Sequence, residues 1–299
     1  MTQLVSIERI VSNPNTSGVN GDIVWMPLKS LWLICHLILG LAGILLYPQL
    51  DAVLVFVLLT AITICAGHSV GMHRLLIHRS FETSKALEYL FVWLGTLVGM
   101  AGPIGMIRTH DMRDWHQRQN VCPPHPAHQA DFFTDAWWQL CCEFKLVSPP
   151  AFVLEERVSK DWVYILMERS WMLQQLLLAL ILYLLGGWAW VLWGCSLRIS
   201  VSLVGHWMVG HFAHRRGHQG WKIEGLPVQG YNLPGLGLIT FGESWHGNHH
   251  AFPHSAKLGV ESGQNDPGFM LITFLKRLGL AWNVKTPTSE PEREGLTRV

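Results

Sequence analysis

Charged side chains are scarce in this sequence: Asp, Glu, Lys and Arg make up 14% of its 299 residues, against ~25% in ordinary soluble proteins. Their formal sum is only +1, and no run of basic residues occurs of the kind that binds phosphate backbones. These absences argue against a soluble domain and against nucleic acid as a partner. With 49% hydrophobic residues and a mean hydropathy of +0.25, the composition predicts an integral membrane protein.

Paired cysteines are also lacking. The six cysteines form no CxxC motif, and several lie in apolar stretches, where Cys behaves as a small hydrophobic residue. We therefore expect neither a disulfide framework nor a structural zinc site. The first 25 residues contain no apolar core, so they are not typical of a cleaved signal peptide, and we expect the N-terminus to stay on the side where it is made.

Long apolar segments account for much of the chain, and a membrane-spanning helix needs about 20 such residues. The uncharged segments are 31–47, 52–72, a glycine-rich stretch 89–107, and 170–197 with the pair Gly186-Gly187, followed by 198–213. The first two form one helical hairpin and the last two a second, whereas the glycine-rich stretch suits a partly buried or half-inserted segment. We predict an all-α integral membrane protein with about four transmembrane helices in two hairpins and a cytoplasmic helical cap.

The positive charges predict the orientation of this domain. All Lys and Arg residues except Arg198 lie away from the two hairpin turns, so the positive-inside rule places these regions, and both termini, in the cytoplasm. The predicted organisation is a cytoplasmic N-terminal segment, a multi-pass membrane domain with its cap, and a polar tail, at residues 1–27, 28–287 and 288–299.

Four histidines crowd the stretch 240–255. In a helix, His246, His249 and His250 stand at i, i+3 and i+4 and project from one face, whereas His254 follows Pro253 and is assigned a structural role. Neutral imidazole is the commonest metal-binding side chain and suits iron, copper, zinc or nickel better than magnesium or calcium. From this stretch alone, a metal site and a histidine-rich surface turn are equally good interpretations.

Other histidines stand at the ends of the apolar segments. His73 and His78, five residues apart, would lie about 140° apart on an α-helix; they would reach two neighbouring ions, or one ion if the helix end distorts. His206, Gly210 and His214 form a stripe at i, i+4 and i+8. His211 and His218 flank this stripe and are assigned solvated or supporting roles. His36 and His68 lie within the apolar spans and are assigned structural, packing roles.

Taken together, these histidines favour a metal site. Four separate segments bring the histidines to one side of the membrane, whereas a chance distribution would place them on both sides. Because a zinc site needs only four ligands, eight or more candidates indicate two metal ions. Imidazole with few carboxylates favours iron, with copper second.

Two motifs resemble the histidine boxes of membrane fatty-acid desaturases of the delta-9 acyl-CoA and acyl-lipid type. The first box is Gly71-Met-His73-Arg-Leu-Leu-Ile-His78-Arg-Ser-Phe, and the third is Gly242-Glu-Ser-Trp-His246-Gly-Asn-His249-His250-Ala-Phe. His214 matches the family's additional histidine near the end of its fourth span. The similarity covers roughly residues 28–287.

The resemblance implies three histidine boxes around two iron ions. It implies O2 as co-substrate, electrons from a donor of the ferredoxin or cytochrome b5 type, and removal of two hydrogens from a fatty-acyl chain in the bilayer. Glu243 and Asn248 are candidates for orienting ligands through hydrogen bonds. The expected iron ligands are His73, His78, His110, His214, His246, His249 and His250, with Asp114 and, as a further candidate, His206.

The second box departs from the family pattern HxxHH. It is His110-Asp-Met-Arg113-Asp114 here, so it keeps one histidine and offers the Asp114 carboxylate in the last position. Nearby substitutes are His116, His125 and His128, for each of which a structural or surface role is at least as good an interpretation. The family's Asn four residues before the fourth-span histidine, thought to hold a metal-bound water, is Gly210, and His206 one turn earlier is its candidate replacement.

Two other functions fit parts of the sequence. The altered second box leaves open an alkyl-chain hydroxylase or related membrane di-iron oxygenase. A membrane metal transporter or haem electron carrier would also use histidines, but transport predicts ionisable residues along a path at mid-membrane, and a b-type haem protein predicts paired histidines within the helices. Here the histidines crowd one face instead.

Overall fold

The computed structural model describes residues 8–291 and 293–299. Residues 1–7 of the predicted N-terminal segment and Glu292 of the predicted tail lie outside the described residues. Helices dominate the described chain. The α-helices are α1 (Pro27–Leu46), α2 (Leu50–Ile62), α3 (Lys85–Thr96), α4 (Pro103–Gln117), α5 (Phe132–Cys141), α6 (Glu156–Ser159), α7 (Trp162–Ser170), α8 (Gln174–Val191), α9 (Arg198–Ala213), α10 (His246–Ala251) and α11 (Pro267–Arg277).

Among the residues that the structure describes, three helices are long and apolar enough to cross a membrane: Pro27–Leu46, Leu50–Ile77 and Gln174–Ala213. The third is 40 residues long, but Gly186 and Gly187 inside it have non-helical backbone angles, with a φ of 63° at Gly187 that favours glycine. Leu182, before the pair, packs with Cys195, after it. The chain therefore folds back at the two glycines, where the sequence predicts the turn of the second hairpin.

The helix that begins with α2 changes pitch halfway and continues as a 15-residue π-helix, Thr63–Ile77. Small residues let α3 lie directly on its backbone: a Cβ on Gly67 would come within 2.4 Å of the backbone nitrogen of Gly95. A shorter π-helix, Leu192–Leu197, joins α8 to α9. π-Helical turns are rare and occur mostly at functional sites, and the longer one ends at the first histidine box.

The glycine-rich stretch 89–107 is divided between α3 and α4 and is not one of the three long apolar helices. Its turn contains Gly99 at a φ of 84°. Pro103 opens α4, and the Glu168 carboxylate accepts hydrogen bonds from the backbone N–H groups of Ile104 and Gly105 at 2.9 and 3.0 Å. These contacts satisfy donors that a helix N-terminus leaves free, and they fix the helix that carries the second histidine box.

Short strands, which the all-helical prediction omitted, tie distant parts of the chain together. The strands are β1 (Ile10–Val11), β2 (Gly21–Trp25), β3 (Glu82–Thr83), β4 (Cys142–Leu146), β5 (Ala151–Phe152), β6 (Trp221–Ile223), β7 (Ala281–Trp282) and β8 (Leu296–Arg298). They pair as four antiparallel ribbons, β1 with β5, β2 with β4, β3 with β7 and β6 with β8. Through β8, the end of the predicted tail belongs to the fold.

Candidate metal centre

Four histidines from three separate elements converge in a first group: His73, His78, His110 and His249. The ring nitrogens that they offer all lie within 4.8 Å of one another. The Nε2 atoms of His73 and His249 are 3.3 Å apart, and those of His78 and His110 are 3.2 Å apart. Residues from the first, second and third histidine boxes therefore meet at one point.

The π-helix explains how the two histidines of the first box reach the same point. The backbone N–H of His78 donates to the carbonyl of His73 at 3.0 Å, the five-residue hydrogen bond that defines a π-turn. The two rings therefore meet edge to face on the same side of the helix, with centroids 4.8 Å apart and an angle of 78° between their planes. The 140° separation expected from an α-helix is wrong here, and the alternative of a distorted helix end describes the structure.

A second group contains His214, His246 and His250, with ring nitrogens again within 4.8 Å of one another. The Nε2 of His246 is 3.0 Å from that of His214 and 3.0 Å from that of His250. The three histidines of α10 thus divide between the groups, His249 turning to the first and the other two to the second. The groups are adjacent, since the rings of His249 and His250 have centroids 6.0 Å apart.

The two groups fit metal ions. Two imidazole nitrogens bound about 2.1 Å from one ion, at ligand angles between a right angle and a tetrahedral one, lie about 3.0–3.4 Å apart, which matches the separations of 3.0 to 3.3 Å found here. Burial lowers the pKa values of His78, His246 and His249 well below 6.5, so these rings are neutral, the form that binds metals. Because these rings are neutral, their nitrogens can lie close together without repulsion between positive charges, and they can bind the same ion.

Carboxylates and a carbonyl hold the outer nitrogens of several of these rings. Glu243 Oε2 lies 2.7 Å from His73 Nδ1, and Asp111 Oδ1 lies 3.1 Å from His110 Nδ1. The backbone carbonyl of Gln229 lies 3.2 Å from His214 Nδ1. Such partners fix the tautomer and direct the other nitrogen at a metal. Glu243 stands where the sequence predicts an orienting residue.

Asn248, the other predicted orienting residue, does not contact a histidine of either group. Its amide donates to the carbonyl of Leu258 at 2.7 Å and to Gln264 Oε1 at 2.8 Å, and its oxygen accepts from Asn232 at 2.9 Å. These bonds hold α10 in place, so Asn248 acts on the ligands through the backbone of their helix rather than by direct hydrogen bonds.

Glu243→Gln is expected to weaken metal binding at the first group by about 10–100-fold, as the loss of an orienting partner commonly does. The carboxylate serves His73, accepts from Ser69 at 2.6 Å and faces Arg74 at 3.4 Å, and a neutral amide cannot replace its charge. Metal titration of the purified protein measures the effect. The control is Glu261→Gln, which lies at a peripheral ion pair with Arg298; equal affinity in both variants would contradict the assigned role.

Two predicted ligands lie outside both groups. Asp114 accepts from Arg118 at 3.0 Å; burial opposes its ionisation, but His110 and Arg118 hold its pKa below the usual range. Burial lowers the pKa of His110, but Asp114 and Asp111 together outweigh burial and raise that pKa above its usual value. His206 is eight residues before His214, about 12 Å along a helix, and its ring instead packs edge-on against His68 at 5.1 Å.

A third cluster, which was not predicted from the sequence, joins His128, Asp135 and His211. Asp135 Oδ2 accepts from His128 Nδ1 at 3.0 Å, from His211 Nδ1 at 2.8 Å and from Trp207 Nε1 at 2.9 Å. The sole signal for Asp135 in the sequence is that it is the lone charged residue of an aromatic stretch, 132–138. His211 was assigned a solvated or supporting role, and the structure gives it the supporting one.

No family model matches the chain, but known desaturases are similar to it over most of its length. It is 35% identical over 78% of its length to an sn-1 stearoyl-lipid 9-desaturase of Anabaena variabilis, of which it covers 84%. It is 31% identical to the acyl-CoA 5-desaturase AL21 of Anemone leveillei, over 79% of this chain and 73% of that one. Delta-9 acyl-lipid desaturase 1 of Arabidopsis thaliana is also 31% identical, over 78% of this chain and 75% of that protein.

Proposed function

This chain belongs to the family of membrane fatty-acid desaturases, which are oxidoreductases, and on that premise we propose that it inserts a double bond into a fatty-acyl chain at a histidine-bound pair of iron ions. The observation that carries the proposal is the convergence of seven histidines from all three boxes and from the end of α9 into two adjacent groups. The groups have the nitrogen spacing of metal ligands.

In the proposed site, the first and second groups each hold one iron ion. When bound, the irons supply the O2-dependent oxidation that removes two hydrogens from the acyl chain. The residues of the chain provide the rest. Glu243, Asp111 and the Gln229 carbonyl orient three of the rings, and His73, His214 and His249 are less than one-tenth exposed, so the site excludes most water.

We propose a fatty-acyl chain carried on a lipid or on coenzyme A as the substrate, since relatives of both kinds are similar to this chain. Burial of an acyl chain stabilises binding by about 0.8 kcal/mol per CH2, which is enough to set one carbon against the metal centre. The electron donor is of the ferredoxin or cytochrome b5 type. The long helices make four membrane crossings in two hairpins, with the histidine groups and both termini in the cytoplasm.

Expression in a cell that lacks its own desaturase tests the function. We expect a new monounsaturated fatty acid, whose double-bond position is located by mass spectrometry of its derivatised lipids, together with about two irons per purified chain. A hydroxylated chain in place of the double bond would identify the enzyme as an oxygenase. Stoichiometric zinc without iron, or unchanged lipids from an iron-loaded enzyme, would refute the proposed desaturation.

A further inference from the structure

The two histidine groups differ in size: the first contains four imidazoles and the second three. In the second box, position 113 is an arginine and not an imidazole, and a guanidinium is permanently charged and cannot bind a metal ion. The one histidine that the box keeps, His110, belongs to the first group. The second box therefore gives the second group no imidazole.

His128 stands beside the second group. Its ring lies parallel to that of His214, at an interplanar angle of 9° and a centroid separation of 5.6 Å. The side chain is 1% exposed, and its Nε2 has no hydrogen-bond partner among the residues that the structure describes. A buried polar atom without a protein partner calls for an explanation, of which a bound ion or water molecule is one, and the neighbouring histidine group is a place for either.

The other nitrogen of His128 shows which form Nε2 takes. Nδ1 donates to Asp135 at 3.0 Å, and Asp135 is ionised because His128, Trp207 and His211 outweigh its burial and lower its pKa. In a neutral imidazole whose Nδ1–H donates to a carboxylate, Nε2 carries the free lone pair. This is the arrangement of a carboxylate-oriented histidine at a metal site.

Two further features favour the position of the His128 ring: its own backbone conformation and the glycine that faces it. His128 has a φ of 54°, a left-handed conformation that non-glycine residues adopt at an energetic cost and that concentrates at functional sites. Gly210 faces the ring, and a Cβ there would lie 3.1 Å from Nε2. His128 thus fills the space that a side chain of α9 would occupy, one turn before His214.

We propose that His128 serves the second group from outside it: its Nε2 accepts a hydrogen bond from a water molecule held between it and His214, His246 and His250. The inference rests on the proposed two-metal function. His128 is a positioning residue here, because it is not among the three histidines whose nitrogens converge within 4.8 Å. It lies on a different segment from the second box, which gives the second group no imidazole.

Cobalt(II) titration of the metal-free, full-length protein in detergent, against a competing chelator, tests this role. In the wild type we expect two binding events. His128→Ala should weaken one of them about 10–100-fold, as loss of an outer partner does, leave the other unchanged, and alter the cobalt absorption bands. The control is His218→Ala, an exposed histidine that belongs to neither group and whose loss should leave both binding events as in the wild type.

A second variant separates this role from simple packing. In the His128→Ala background, Gly210→Asn should recover part of the lost affinity, since an amide oxygen then enters the vacated space. Two unchanged events in His128→Ala, equal loss of both, or no recovery in the double variant would each overturn the inference. If the wild type binds two cobalt ions but the iron-loaded enzyme forms no double bond, the proposed function fails and the role of His128 stands.

Discussion

His249→Ala is expected to remove the metal ion of the first group and to lower desaturation by more than about 100-fold, because losing a ligand exceeds the 10–100-fold effect of losing an orienting partner. His249 Nε2 lies 3.3 Å from His73 Nε2, and its ring faces those of His73 and His78 at centroid distances of 4.5 and 4.7 Å. Its removal leaves three donors and an open position. Iron per chain and product formation are measured together on the same preparation.

The matched control for this variant is His254→Ala. His254 stands five residues later and its ring lies 6.3 Å from that of His78, but it belongs to neither group. We expect it to retain both irons and nearly full activity. Elution of both variants from a size-exclusion column as the wild type does establishes that they fold. Full iron content and activity in His249→Ala would refute its role as a ligand.

Arg74→Met is expected to destabilise the folded protein by about 3–5 kcal/mol, the cost of leaving buried carboxylates without their partner. The Arg74 side chain is 1% exposed and pairs with Asp266 at 2.9 Å and with Glu243 at 3.4 Å. It also donates to the carbonyls of Ala256 and Phe241 at 2.9 and 3.2 Å. One guanidinium thus joins the π-helix to the loop on either side of the third box.

Denaturant unfolding in detergent measures this loss. Arg74→Lys should restore little, because an ammonium cannot match a fork that serves two carboxylates and two carbonyls. The control is Lys160→Met, at an exposed ion pair with Glu156, where we expect a change of less than about 1 kcal/mol. If Arg74→Met were as stable as that control, the buried network would not be holding the third box in place.

The histidines of the first and third boxes could be found from sequence because metal ligation needs a fixed residue type at a fixed spacing. His73, His78 and His246 therefore carry their own signal. The apolar segments and the turn at Gly186-Gly187 were also predictable. The bilayer thickness sets the length of an apolar segment, and the backbone freedom of glycine is a property of the residue itself.

The arrangement of those histidines was not predictable, because it depends on contacts between distant segments. Apolar periodicity does not reveal the π-helical pitch of Thr63–Ile77, and the division of α10 between two groups depends on where His73 and His214 stand. No sequence motif marks Asp135, because its role depends on hydrogen bonds from His128, His211 and Trp207. The short strands likewise pair residues as far apart as Gly21 and Leu146.

The π-helix at Thr63–Ile77 also limits how this chain can vary in length. Each residue added to or removed from an α-helix rotates the downstream residues by about 100°. A single insertion between His73 and His78 would place the two imidazoles six residues apart, about 120° around an α-helix, and would break the five-residue backbone bond between them. Substitutions in this interval are therefore open to selection, whereas insertions are not.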